Sequence, residues 1–203
     1  MVMVPKLGKD HTTTRGWRPI VLANTVGKIA DKVIAKQVHR LPVFHELQYG
    51  SRPGWNAIDC QAACLSIADR CVRNSGRATL LGKDIVSAFN NLTKETVMDT
   101  LTRSNAPPHL TRYIDEFLNA RSFSVGWDDR DRGTAYMNQG TIQLSPLSPV
   151  LWAVQAAKLL QHTENKLIGL DPHIRPYNPT QSFPRSEIFF FSYVDDFNPL
   201  ITT

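Results

Sequence analysis

The residues best suited to chemistry lie in "EIFFFSYVDDFNPL", where Asp195 and Asp196 interrupt an apolar run. Two adjacent carboxylates in such a setting cost free energy unless a cation offsets their lost hydration. The plainer reading is a hairpin with acidic turn residues, because Asp side chains bond nearby backbone donors. The sharper reading is a divalent-metal site, since hard Mg²⁺ prefers carboxylate oxygens and keeps water or phosphate as its other ligands. Such a site needs a further carboxylate from a neighbouring strand. Asp84, ending the apolar stretch of "LLGKDIVSAF", is the candidate. Two strands that each bring an aspartate to one end of a shared sheet can hold two ions about 4 Å apart, which suits in-line displacement at phosphorus.

Several elements must position these residues. A short strand is expected around Ile20–Leu22. A helix follows with Ile29, Val33, Val38 and Leu41 as its apolar stripe. "LQYGSRPGWNAID" reads as a loop, and Asn56 as the N-cap of a helix whose stripe is Ile58, Ala62, Leu65 and Val72. A strand then ends at Asp84. Thr93 caps a helix carrying Val97 and Leu101. After the Pro107–Pro108 break, Leu110, Ile114, Phe117 and Leu118 mark another helix. "RSFSVGWDDRDRGTAYMNQG" reads as a hairpin. Ser148 and Pro149 open a helix with Val150, Ala153, Val154, Ala157 and Leu160 on one face. A Pro-rich connection leads to the strand–turn–strand that carries the aspartate pair. The pattern predicts an α+β fold, an antiparallel sheet with helices packed on one face.

The chain has 203 residues, 42% of them hydrophobic, enough for a real core. A net charge of +5 leans toward polyanionic partners, although many proteins this basic bind no nucleic acid. Cys60, Cys64 and Cys71 fall within one predicted helix without zinc-ligand spacing, and read as reduced thiols of an intracellular protein. No apolar stretch is long enough to cross a bilayer, and the N-terminus lacks a signal-peptide core. No membrane partner is expected.

Taken together, "YVDD", "DIVSAF" and "QLSPLSP" resemble the core of reverse transcriptases, specifically those of non-LTR (LINE-type) retrotransposons. "WRPIVLANTVGKIADKVIAKQV", "LQYGSRPGWNAIDC" and "RSFSVGWDDRDRGTAYMNQG" are similar to further segments of that family, in the same order. A group II intron or telomerase relative would share the palm but fits "RPI", "GSRPG" and "SPLSP" less well. The resemblance implies an RNA-directed DNA polymerase of right-hand form, residues 1–203 being a partial domain. Residues 1–75 would be mainly fingers and residues 76–203 mainly palm with interleaved fingers elements. It implies two Mg²⁺ ions, held by Asp84, Asp195 and the Ile85 carbonyl, with Asp196 supporting the turn. It implies an RNA template, a DNA primer and dNTPs as partners, and a nuclear location.

The resemblance further implies that Lys6 or Lys9 and Arg18 grip the triphosphate, as cations suited to phosphate oxygens. The two lysines read equally well as solvated surface charge. Phe89 matches the ring that excludes a ribose 2′-hydroxyl, though alone it would pass for a core residue. Gln143 matches the loop against the nascent base pair, and Ser145 and Pro146 the template and primer contacts. Two positions depart from the family pattern. Leu144 stands where glycine is usual, whose freedom in φ the loop would use, and Asn90 where aspartate is usual. By this resemblance the remaining palm, the primer grip, the thumb and an upstream endonuclease lie outside the chain. The expectation is a fragmentary reverse-transcriptase domain, with an inactive remnant that binds nucleic acid weakly as the alternative.

Overall fold

A computed structural model describes residues 1–13, 16–74, 76–119, 121–127, 130–170, 174–175, 186–194 and 196–202. The chain forms two compact units, each built from two separate stretches. Unit 1 comprises Met1–Arg40 and Phe89–Leu151, and unit 2 comprises Leu41–Ala88 and Trp152–Thr203.

Unit 2 is organised on a hairpin of β8 (Ser186–Tyr193) and β9 (Asp196–Thr202). β9 also pairs antiparallel with β3 (Ala78–Leu80) and β4 (Lys83–Asp84), while the short β7 (Ile174–Arg175) runs parallel to β8. The single strand expected to end at Asp84 is thus split at Leu81–Gly82, and the cause is Pro199 opposite. Its carbonyl accepts from the Leu81 N–H at 2.9 Å, but proline has no N–H to return.

Phe189, Phe191 and Leu200 lie on one face of this sheet, packed with Cys60 and Ile67 of α2 (Ala57–Arg73). Ile188 and Phe190 lie on the other face, packed with Leu160 of α5 (Ser148–Leu170). The expectation of helices on one face is therefore corrected. The run "IFFF" has no polar alternation because both of its faces are buried, each ring contributing about 2 kcal/mol.

The face that α2 buries also differs from the expected one. Ile58, Leu65 and Val72 are exposed, whereas Cys60, Ile67 and Cys71 are buried, with Ala63, Cys64 and Ala68 packed beside them. The aromatic layer of the sheet fills the available volume, so the helix turns its small residues toward it. Asn56 does cap α2, and a capping box with Asp59 completes it.

Unit 1 contains a hairpin of β1 (Val2–Pro5) and β2 (Trp17–Ile20), the latter starting earlier than expected. α1 (Thr25–Val38) follows, capped by Asn24. Val38 is buried as expected, together with Asp31, Ile34 and Ala35, while Ile29 and Val33 are exposed, so the stripe is corrected at those two positions. α3 (Lys94–Arg103) buries Val97 and Leu101, and α4 (Pro108–Leu118) buries Leu110, Ile114 and Leu118. The hairpin β5 (Arg121–Trp127) and β6 (Arg130–Met137) forms as expected. Ser148 does not act as a free N-cap, because its hydroxyl donates to the Ile142 carbonyl at 2.6 Å within the loop before α5.

Candidate active site

The acidic site of unit 2 is built by strand register. Tyr193 and Asp196 form the last rung of the β8–β9 hairpin, and on the other side of β9 the Cα partner of Asp196 is Asp84. Residues directly opposite in a ladder share a face, so the two carboxylates project from the same side of the sheet. Both side chains are exposed, and Ile85 beside them is half-buried. Like charges directly opposite destabilise a ladder, and the hard oxygen donors of this pair suit a divalent cation. Asp195 lies outside the described residues, and among those described no group of three His, Cys, Asp or Glu residues stands ready to hold a metal ion. The neighbouring Cys60 thiol is pushed up to about 11 by burial, with Cys64 and Asp196 adding to the shift. It stays a protonated packing residue at neutral pH.

The turn before Asp195 is held by two other segments of unit 2. Val194 adopts φ 56°, a left-handed conformation unusual for a β-branched residue. Its carbonyl accepts a hydrogen bond from Trp152 Nε1 at 2.8 Å. The stretch Leu47–Gly50 runs beside the end of β8. Ser192 N donates to Leu47 O at 3.1 Å, and Tyr49 N donates back to Ser192 O at 2.8 Å. A Cβ on Gly50 would fall on the Val194 nitrogen, so only glycine allows this approach.

Gln48, 1% exposed, donates to the Ala153 carbonyl at 2.8 Å. Arg52 gathers the His45 and Gln48 carbonyls, each at 3.0 Å, with its guanidinium over the Trp55 ring. These backing residues of "LQYGSRPG" had no individual role in the sequence reading. The motif marks the segment, and the three-dimensional neighbours of the turn reveal what Gln48 and Arg52 do there.

The nucleotide-side candidates belong to unit 1. Phe89 is half-buried in the 3-10 turn Ala88–Asn91, and its carbonyl accepts from Thr141 N at 2.8 Å. Gly140 (φ 81°) packs on this turn so closely that a Cβ would lie 2.8 Å from Phe89 O and 2.9 Å from Asn90 Cα. The Phe89 turn and the Gln143 loop are thereby fastened together. Gln143 is half-buried and Leu144 is 59% exposed with φ 75°.

Ser145 is 3% exposed. Its hydroxyl donates to Asp31 Oδ2 at 2.6 Å and accepts from Leu147 N at 3.1 Å, which leaves it holding the loop rather than facing outward. Pro146 is half-buried. Arg18 lies exposed on β2, while Lys6 and the exposed Lys9 follow β1 on the same hairpin. A cleft of about 810 Å³ in this unit is lined by the Lys94–Asp115 ion pair (2.8 Å) and by Gly140, but by none of the predicted site residues.

Residues 4–203 match the family described as reverse transcriptase (RNA-dependent DNA polymerase). The chain belongs to the reverse transcriptase family. Among curated proteins it is similar to the RNA-directed DNA polymerase from mobile element jockey of Drosophila melanogaster, with 24% identity over 203 residues. That alignment covers 97% of this chain and 20% of the relative, so the chain spans about a fifth of the length of the protein it matches. The mobile-element origin of the relative agrees with the non-LTR reading of the motifs. Reverse transcriptases as a family use divalent metal, and the exposed pair Asp84 and Asp196 has the oxygen donors such an ion requires.

Proposed function

We propose that this chain is part of the polymerase domain of a non-LTR retrotransposon reverse transcriptase, joining a dNTP to a primer 3′-hydroxyl on an RNA template. The observation that carries the reading is the register that sets Asp84 opposite Asp196 at the end of the YVDD hairpin. In this reading unit 2 is palm-like and unit 1 is fingers-like, an interleaved right-hand arrangement. Asp84, Asp195 and the Ile85 carbonyl would hold two Mg²⁺ ions, with Asp196, directly opposite Asp84 on β9, supporting the turn. Ions bound there supply charge neutralisation at phosphorus and a lowered pKa for the attacking hydroxyl.

Arg18, with Lys6 or Lys9, pairs with the triphosphate. Phe89 excludes ribose by shape, Gln143 lies along the new base pair, and the Ser145–Pro146 backbone shapes the template side. A nuclear site of action goes with this reading.

The test is primer extension on an RNA template with Mg²⁺, comparing the wild-type chain with Asp84→Asn and Asp195→Asn. Either substitution should reduce extension at least about a hundredfold, since several kcal/mol of charge stabilisation is removed. Extension that survives Asp195→Asn would sink the assignment. Leu144 favours a second reading, a remnant that binds nucleic acid without catalysis, because its backbone occupies a conformation that suits glycine. Wild-type protein that binds RNA but never extends a primer would decide for that reading.

A further inference from the structure

A buried and a half-buried charged side chain of unit 1, Asp31 and Arg121, grip the Gln143 loop at its two ends. Asp31, 5% exposed within α1, accepts from Ser145 Oγ at 2.6 Å and from Tyr113 Oη at 2.9 Å. Among the described residues its partners are hydroxyls and not cations. At the other end, Arg121 Nη2 donates to the Gly140 carbonyl at 2.7 Å. The Nε and Nη1 of Arg121 are buried with no hydrogen-bond partner among the described residues, and the guanidinium carbon lies 6.0 Å from the centre of the Phe117 ring.

Burying a charge without a countercharge is expensive, so such a group persists where hydrogen bonds satisfy it. A carboxylate here has a specific use, since it is the one side chain that accepts from two hydroxyl donors with charge-assisted strength. Between the two grips lies Leu144 at φ 75°. A side chain in that conformation persists only where its surroundings over-determine it.

We infer that Asp31 and Arg121 are positioning residues that clamp the Gly140–Ser145 loop and so fix Gln143 in a single orientation. This rests on the proposed function only in taking Gln143 as a nucleotide-facing residue. The clamp itself is a property of unit 1. It makes Asp31 a determinant of dNTP capture that touches neither nucleotide nor metal.

The test measures amide hydrogen exchange across residues 139–147 in the full chain, with α3 and α4 as internal reference. Asp31→Asn and Ser145→Ala should each speed exchange in the loop about tenfold, the loss of one charge-assisted bond, while the reference helices stay unchanged. The double variant should be no worse than either single, because both break the same link. Arg121→Gln should loosen the Gly140 end in the same way. Tyr113→Phe, which removes the other bond to Asp31, should leave the loop as it is.

In primer extension the Asp31 and Ser145 variants should raise the KM for dNTP severalfold with kcat within about twofold, the pattern of lost binding rather than lost chemistry. Unchanged loop exchange in both single variants, or loosening spread evenly over unit 1, would overturn the clamp. An inactive wild type with the loop effects intact would instead count against the polymerase reading alone.

Discussion

Leu144 shows how one residue can record both the ancestry and the condition of a site. Its backbone holds φ 75°, and its side chain is 59% exposed, so little packing returns the strain. Left-handed geometry costs a non-glycine residue about 1–2 kcal/mol, part of which glycine gives back as unfolded-state entropy. Leu144→Gly should therefore stabilise the protein by about 0.5–1 kcal/mol, read as a higher urea midpoint with an unchanged slope. Trp152 is the opposite case, a side chain whose polar atom does a defined task. Trp152→Phe keeps the ring burial but loses the bond to the Val194 carbonyl, and should cost about 1–2 kcal/mol in the same titration. The departure at position 144 was legible in the sequence, because it breaks a motif. The role of Trp152 was not, because an indole in an apolar helix face looks like any other core residue until the turn it reaches is known.

At the scale of elements, the helices were legible in extent and cap but not in orientation. α3, α4 and α5 carry one dominant apolar stripe each, and the expected residues Val97, Leu101, Leu110, Ile114, Val154 and Leu160 are buried. α2 is apolar on two sides. Periodicity favours the bulky side, Ile58, Leu65 and Val72, whereas the side packed against the phenylalanines of β8 is that of Cys60, Ile67 and Cys71, with the alanines beside them. The choice is made by volume across the interface, which a single helix does not encode.

α1 adds a second lesson. Asp31 would be placed on the outside by any polarity rule, and it is inside because Ser145 and Tyr113 reach it from distant segments. Substitution distinguishes the two sides of α2. Ile67→Ala should destabilise by about 2–4 kcal/mol through the cavity it leaves, and Leu65→Ala by less than about 0.5 kcal/mol, in paired denaturation measurements.

For the molecule as a whole, the order of the motifs was readable but the assembly of the units was not. Each unit draws on two stretches separated by the other unit's residues, and local patterns carry no information about which stretches rejoin. The acidic pair is a partial exception. Two apolar strands that end in aspartate suggest a shared sheet edge for Asp84 and Asp195; the register of β4 and β9 sets Asp84 opposite Asp196, and Asp195 lies outside the described residues.

Charge belongs to this scale too. With a net +5 and Lys6, Lys9 and Arg18 on one hairpin, RNA binding should weaken about tenfold between roughly 50 and 200 mM salt, as expected for a few phosphate contacts. A filter-binding titration in which affinity ignores salt would remove phosphate pairing as the basis of association.

Pro199 has an effect that reaches beyond its own strand. By withholding one donor it severs β3 from β4, so Lys83 and Asp84 hang on β9 as a two-residue ribbon joined to the rest through Gly82. Asp196 is flanked on both sides of its strand, by Tyr193 and by Asp84, whereas β4 has a ladder partner on one side alone among the described residues. The two carboxylates thus face each other from unequally supported strands.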